Sequence, residues 1–312
     1  MTSPTARFAG VVPPIVTPLN SEGGVDVASL ERLVETQLEA GVHGIFALGS
    51  SGETVFLTDE QRDRALEVIV KTTSGRVPVI AGCIEPSTQR VIGRAQASVR
   101  LGADALVTTA PFYAIVGPHE TERHLRAVAA ATDLPLLAYD IPVCVHTKLS
   151  VELLTQLVAE GVIAGVKDSS GDDVAFRQLL LSVQDYAPHA DFSALTGHEV
   201  VVDAMMLAGA SGAVPGLANV DPDGYVRLHD ACVAGDWATA RTEQDRLARL
   251  FRIVGAADPA TTAGATRGVG AFKTALQLLG VIDSNAVSQP LRPLDEVETG
   301  RVRVELERAG LL

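Results

Sequence analysis

Cysteine is scarce in this chain, with Cys83, Cys144 and Cys232 the only three in 312 residues. They lie far apart, form no CxxC pair and cannot all close into intramolecular disulfides, so a stapled scaffold is excluded and a reducing cytoplasm is the expected setting. Basic charge is also short: 25 Lys and Arg face 38 Asp and Glu, giving a net charge of -13 and a pI near 4.9. A nucleic-acid surface needs a concentrated basic face to displace counterions, and this balance argues against one. No apolar run reaches the length of about 18 residues that suits a membrane span. Residues 1–10 carry Arg7 but no apolar core of a secretion signal, so neither export nor a membrane partner is expected. Two motifs are missing as well. No GxGxxG follows the first predicted strand, where Pro13, Pro14 and Pro18 stand instead. The seven histidines (His43, His119, His124, His146, His189, His198, His229) are scattered, and His119 and His124 miss the i, i+4 spacing of helical metal ligands, so no metal is expected.

What is present is a repeated unit. With 47% hydrophobic residues the chain can bury one large α/β core. A helix-like stretch ends at glycine and an apolar strand follows within a few residues at Gly41, Gly102, Gly161 and Gly209. Glycine just past a helix takes up the left-handed conformation that other residues resist. Strands are predicted at Val11 to Thr17, Gly44 to Leu48, Val77 to Gly82, Ala105 to Thr109, Pro135 to Tyr139, Val162 to Lys167, Phe192 to Thr196 and Ala213-Val214. Between them Val27, Leu30, Leu33, Val34 and Leu38 form one apolar stripe of helical period, and Thr58-Asp59-Glu60-Gln61 reads as a capping box. Eight strands alternating with helices predict an α/β fold, a (β/α)8 TIM barrel over residues 1–223, with a doubly wound open sheet as the alternative. Residues 224–312 read as the eighth helix and a C-terminal helical appendage, with helices over Tyr225 to Val254, Gly268 to Leu279 and Val297 to Leu311 and a loop over Ala256 to Gly268.

Lysine is rare enough to be read one residue at a time, and of Lys71, Lys148, Lys167 and Lys273 only Lys167 ends an apolar strand. The others sit in polar or helical settings. An amine held against apolar walls is disfavoured in its charged form, which favours a nucleophile near neutral pH. The competing reading is a lysine that snorkels into solvent. In a barrel, chemistry gathers at the C-terminal ends of the strands. There the second strand runs into Gly49-Ser50-Ser51-Gly52-Glu53, whose N–H groups and hydroxyls can grip a carboxylate. The fourth runs into Pro111-Phe112-Tyr113, the fifth into Tyr139-Asp140-Ile141-Pro142 and the sixth into Lys167-Asp168-Ser169-Ser170-Gly171-Asp172. Asp168 reads as a cap of the helix that follows.

These segments, with the late Gly212-Ala213-Val214-Pro215-Gly216-Leu217-Ala218-Asn219, resemble in order the family of dihydrodipicolinate synthase and N-acetylneuraminate lyase, the pyruvate-dependent class I aldolases. The resemblance covers essentially the whole chain. It implies that Lys167 forms an imine with the keto carbon of pyruvate and that Tyr139 shuttles protons. It further implies that Ser50 and Ser51 hold the pyruvate carboxylate beside Gly49 and Val214, and that Ser50 links Tyr139 to Tyr113. Tyr113 is expected to reach a neighbouring subunit, which makes the partner a second copy of this chain in a homotetramer. No cofactor beyond the imine is implied.

One position departs from the synthases, which carry an arginine two residues beyond the proline of the Tyr139 segment to receive the carboxylate of aspartate semialdehyde. Here Cys144 takes that place. A thiol cannot give the bidentate grip of a guanidinium, and the lost contact is worth roughly 1.5 to 3 kcal/mol. The expected reaction is therefore cleavage or formation of a C–C bond to pyruvate on a hydroxylated substrate such as a 2-keto-3-deoxy sugar acid. His198 and Glu199, after the seventh strand, are candidates to bond its hydroxyls. The alternatives are the synthase condensing pyruvate with aspartate semialdehyde, a sugar-acid dehydratase, or a non-catalytic barrel that binds keto acids.

Overall fold

The computed structural model describes residues 8–312, so the reading made on residues 1–7 lies outside the described residues. The eight expected strands form. They are β1 (Gly10–Val11), β2 (Ile45–Ala47), β3 (Val79–Gly82), β4 (Ala105–Thr109), β5 (Leu136–Asp140), β6 (Gly165–Asp168), β7 (Ser193–Thr196) and β8 (Gly212–Ala213). All pair in parallel in one curled sheet of order β1-β8-β7-β6-β5-β4-β3-β2. β1 is much shorter than the expected Val11 to Thr17, because Pro13 and Pro14 have no N–H to give to a ladder.

The segment after β1 nevertheless meets the opposite edge of the sheet. Ile15 N–H donates to the Phe46 carbonyl at 3.0 Å and Phe46 N–H to the Pro13 carbonyl at 2.9 Å. Buried Asn219 fixes this seam from above β8, accepting from Val16 N–H at 3.0 Å and donating to the Pro14 carbonyl at 2.9 Å. Every strand residue is buried, so the sheet carries the core on both of its faces.

Helices follow the strands as the periodicity requires. In Val27–Glu39 the stripe residues Leu30, Leu33 and Val34 are buried. The capping box at Thr58 and Gln61 starts Asp59–Thr73. The four junction glycines, Gly41, Gly102, Gly161 and Gly209, all have left-handed φ. Asp172, not Asp168, caps the helix Asp173–Tyr186, accepting from Ala175 N–H at 2.9 Å. Asp168 is the last residue of β6 and accepts from Ser170 N–H at 2.8 Å.

The C-terminal region is helical, but its segments differ from expectation. The single helix expected over 225–254 is two helices, Pro222–Val233 and Trp237–Leu250, separated at left-handed Gly235 and restarted by the Asp236 cap. The boundary between residues 223 and 224 falls inside the first of these. The helix Gly264–Leu278 begins earlier than periodicity predicted, and Glu296–Arg308 closes the chain. Among the described residues no helix is long and apolar enough to cross a membrane.

Candidate active site

Lys167 and Tyr139 are lateral neighbours in the β5–β6 ladder. Directly paired residues of adjacent strands project to the same face. The Lys167 amine lies 4.1 Å from the Tyr139 ring centroid and 4.5 Å from that of Phe46, and the residue is only 4% exposed. The snorkelling alternative is thereby excluded. Phe46 and Tyr139 meet edge to face, with centroids 6.3 Å apart and planes at 83°. The amine thus sits on two aromatic faces, whose quadrupoles attract a cation yet cannot hydrogen-bond it as water does. On the opposite face of the same strands, Asp140 pairs with Lys148, and burial pushes the Asp140 carboxyl above its ordinary range.

The loop after β2 brings Ser50 to Tyr139. Ser50 Oγ is 3.5 Å from the Tyr139 hydroxyl, at the edge of hydrogen-bond range, and half-buried Ser51 follows it. Gly49 is required by sterics, since a Cβ there would come within 2.6 Å of the Phe46 ring. Leu48 and Glu53, at the two ends of the loop, have φ of +56° and +60°. Left-handed backbone at non-glycine residues costs of order 1 to 3 kcal/mol each and persists only where its surroundings enforce it. Leu48 is enforced by Gly82 of β3, whose missing side chain leaves room for the Leu48 carbonyl. Glu53 is enforced through its carboxylate, which accepts from Ser288 N–H at 2.6 Å and pairs with Lys273.

Glu199, a candidate for hydroxyl recognition, follows β7. Its carboxylate accepts from Leu217 N–H at 2.6 Å, and its carbonyl accepts from the Tyr225 hydroxyl at 3.0 Å and the Gln244 amide at 3.2 Å. Burial pushes the Glu199 carboxyl up to about 7, against the opposing pull of the Leu217 N–H, the Lys167 charge and the Gly216 N–H. The field of Lys167 therefore reaches it. His198 is already engaged, its Nδ1 lying 3.1 Å from an Asp173 carboxylate oxygen. Val214 is buried at the end of β8, its N–H donating to the Thr196 carbonyl at 2.7 Å. Cys144 lies in the short helix Pro142–Val145, and burial raises its thiol pKa while the Lys167 charge opposes the rise. That thiol is neutral at neutral pH. Tyr113 is not brought to the site within one chain: it is 97% exposed, on left-handed backbone with φ of +73°.

Residues 7–309 match the Dihydrodipicolinate synthetase family. The chain belongs to that family. A 4-hydroxy-tetrahydrodipicolinate synthase of Phenylobacterium zucineum is 34% identical over 306 residues, covering 98% of each chain. Among solved structures, YagE, a prophage protein of the dihydrodipicolinic acid synthase family from E. coli K12 in complex with pyruvate, superposes with a TM-score of 0.91 at 28% identity. The match covers 98% of this chain and 100% of that one. The chloride-inhibited dihydrodipicolinate synthase of Acinetobacter baumannii, complexed with pyruvate, gives 0.87 at 30% identity over 98% and 100% of the two chains. The resemblance read from the strand-end motifs is thus correct, and this member of the family is an enzyme, a lyase of the class I aldolase kind.

Two features of the site escaped sequence reading. Phe46 reads from sequence only as part of a strand, yet its ring forms one wall around the amine. Lys273 reads from sequence as a lysine in a polar or helical setting, but it is 0% exposed, more deeply buried than Lys167. Burial lowers its pKa, opposed by the nearby Glu53 carboxylate. The clue lay in its flanks, Gly270-Ala271-Phe272 and Thr274-Ala275-Leu276, as apolar as those of Lys167. Among the described residues one His and Asp cluster brings possible metal ligands together: His43, His229 and Asp230, at the N-terminal end of the strands. It fits an ion poorly. His43 Nδ1 already accepts the Val11 N–H at 3.2 Å, so an ion on Nε2 would demand an imidazolate.

Proposed function

We propose that the protein forms an imine between Lys167 and pyruvate and makes or breaks a C–C bond to it, with a 2-keto-3-deoxy sugar acid or a similarly hydroxylated compound as the substrate. The observation that carries this reading is the Lys167 amine, buried over the rings of Phe46 and Tyr139, with Ser50 Oγ 3.5 Å from the Tyr139 hydroxyl. In the forward sense the neutral amine adds to the keto carbon, water leaves with protons moved by Tyr139, and the iminium draws electrons from C3. A C3 proton then departs, or the C3–C4 bond breaks and an aldehyde leaves. Ser50, Ser51 and the N–H groups beside Gly49 hold the carboxylate. Val214 lines the pocket, and Glu199, His198 and Cys144 face the variable end of the substrate. Solved relatives complexed with pyruvate support the first half of this scheme.

The synthase reading is favoured by the name of the Phenylobacterium relative. Against it stands Cys144, whose neutral thiol gives a second carboxylate no charge to bind. A sugar-acid dehydratase would use the same imine, and a non-catalytic keto-acid binder would have no need of Tyr139. The scaffold belonging to this proposal is a closed (β/α)8 barrel through about residue 223 with a helical appendage over 224–312. The enzyme works in the cytoplasm as a homotetramer with no metal or cofactor, and Tyr113 completes the relay of a neighbouring subunit.

Borohydride in the presence of pyruvate tests the mechanism. A reduced pyruvate adduct is expected by mass on wild-type protein and absent from Lys167→Arg, while unmodified wild type refutes the imine. Tyr139→Phe is expected to lower turnover by about 10²- to 10⁴-fold, the range of a lost proton-transfer group. Cleavage rates on sugar acids, compared with condensation on aspartate semialdehyde, decide the substrate class.

A further inference from the structure

Glu53 and Lys273 are both fully buried and form an ion pair between the loop after β2 and the helix Gly264–Leu278. Among the described residues, the chain just beyond that helix supplies the other hydrogen-bond partners of the two side chains. Ser288 N–H donates to Glu53 at 2.6 Å, and Lys273 donates to the Ala286 carbonyl at 2.8 Å. The Phe272 ring packs on Gly216, in the turn that holds the Glu199 carboxylate. One turn of a C-terminal helix therefore touches both the loop of Ser50 and Ser51 and the turn that holds Glu199. Glu53 also ends the segment that carries Ser50 and Ser51, its N–H donating to the Ser50 carbonyl at 3.1 Å. A buried ion pair is seldom a source of net stability, but it fixes geometry, because either partner alone is left as an uncompensated charge.

We propose that Glu53 and Lys273 are positioning residues, which hold Ser50 and Ser51 where the pyruvate carboxylate binds and so make a helix outside the strand repeat part of substrate recognition. This rests on the imine reading above. The test is borohydride trapping as a function of pyruvate concentration, with thermal unfolding measured on the same samples. The variants are Glu53→Gln, Lys273→Met and the double variant, in which no buried charge is left unpaired. The expected result is a half-saturating pyruvate concentration raised tenfold or more, with full adduct formation at saturation. Asp295→Ala uncaps Glu296–Arg308, a helix that packs on Gly264–Leu278 but supplies no partner of the ion pair, and serves as a comparison that lowers stability and leaves half-saturation unchanged. A folded double variant with wild-type half-saturation overturns the proposal, as does a shift no larger than that of Asp295→Ala. If the double variant does not fold, Glu53→Asp, which keeps the charge and shortens the reach, carries the same comparison. Wild type that forms no adduct refutes the imine reading, and the positioning claim falls with it.

Discussion

A buried carboxyl that titrates near neutrality has a measurable signature. Glu199 has an ordinary value of 4.5 and stands at about 7 in the folded chain, chiefly through burial. Between those two values the folded protein keeps a proton that the unfolded chain has released. Stability therefore falls as pH rises through this window and is level above it. Glu199→Gln, which can still accept the Leu217 N–H, is expected to be more stable than wild type by about 1 to 3 kcal/mol at pH 8. The gain should vanish near the ordinary value, and denaturant melts at the two pH values measure it. If Glu199 bonds a substrate hydroxyl, the pH-rate profile of wild type carries a transition near 7 that the glutamine variant lacks. Sequence reading found Glu199 by its place after a strand. Its titration could not be read there, because it depends chiefly on burial, opposed by the N–H groups of Leu217 and Gly216, which fold over from the next strand's loop.

At the scale of elements, the loops depend on small residues in neighbouring strands. Gly82 lies on β3, yet the residue it serves is Leu48, at the mouth of β2. Gly82→Ala places a methyl group inside the Leu48 carbonyl, and overpacking of this kind costs about 1 to 3 kcal/mol. A lower thermal midpoint is expected together with weaker pyruvate trapping, and normal trapping in Gly82→Ala would sever the link between β3 and the carboxylate loop. Strand and helix positions were legible because each obeys a local rule: alternation or burial in strands, a helical stripe at Leu30 and Leu33, a capping box at Thr58, glycine at the four junctions. Lys167 was legible for the same reason, as a charge ending an apolar run. What failed were features set by contacts distant in sequence. The apolar flanks of Lys273 hint at burial, but its partner cannot be read locally, because Glu53 stands 220 positions earlier.

For the whole molecule, the prediction concerns assembly. Tyr113 reaches solvent on a strained backbone next to exposed Ile115, with Val55 and Phe56 also uncovered. An exposed apolar set beside an unpartnered catalytic candidate suits burial against a second copy. Sedimentation is expected to give a tetramer. Coexpressed Tyr113→Phe and Lys167→Arg chains, each inactive alone, should recover activity in mixed assemblies, because one subunit supplies the phenol and the other the amine. Failure of such mixtures, with both variants assembled, would return Tyr113 to a purely structural part.

The pairing of Glu53 with Lys273 also sets an order of events during synthesis. A nascent chain that has emerged through residue 220 already contains all eight strands, Lys167 and both serines. Lys273, Ala286 and Ser288 are still unmade or inside the ribosome tunnel. The carboxylate of Glu53 must wait for a cation made 220 residues later, so the mouth of the enzyme is finished only after its strands.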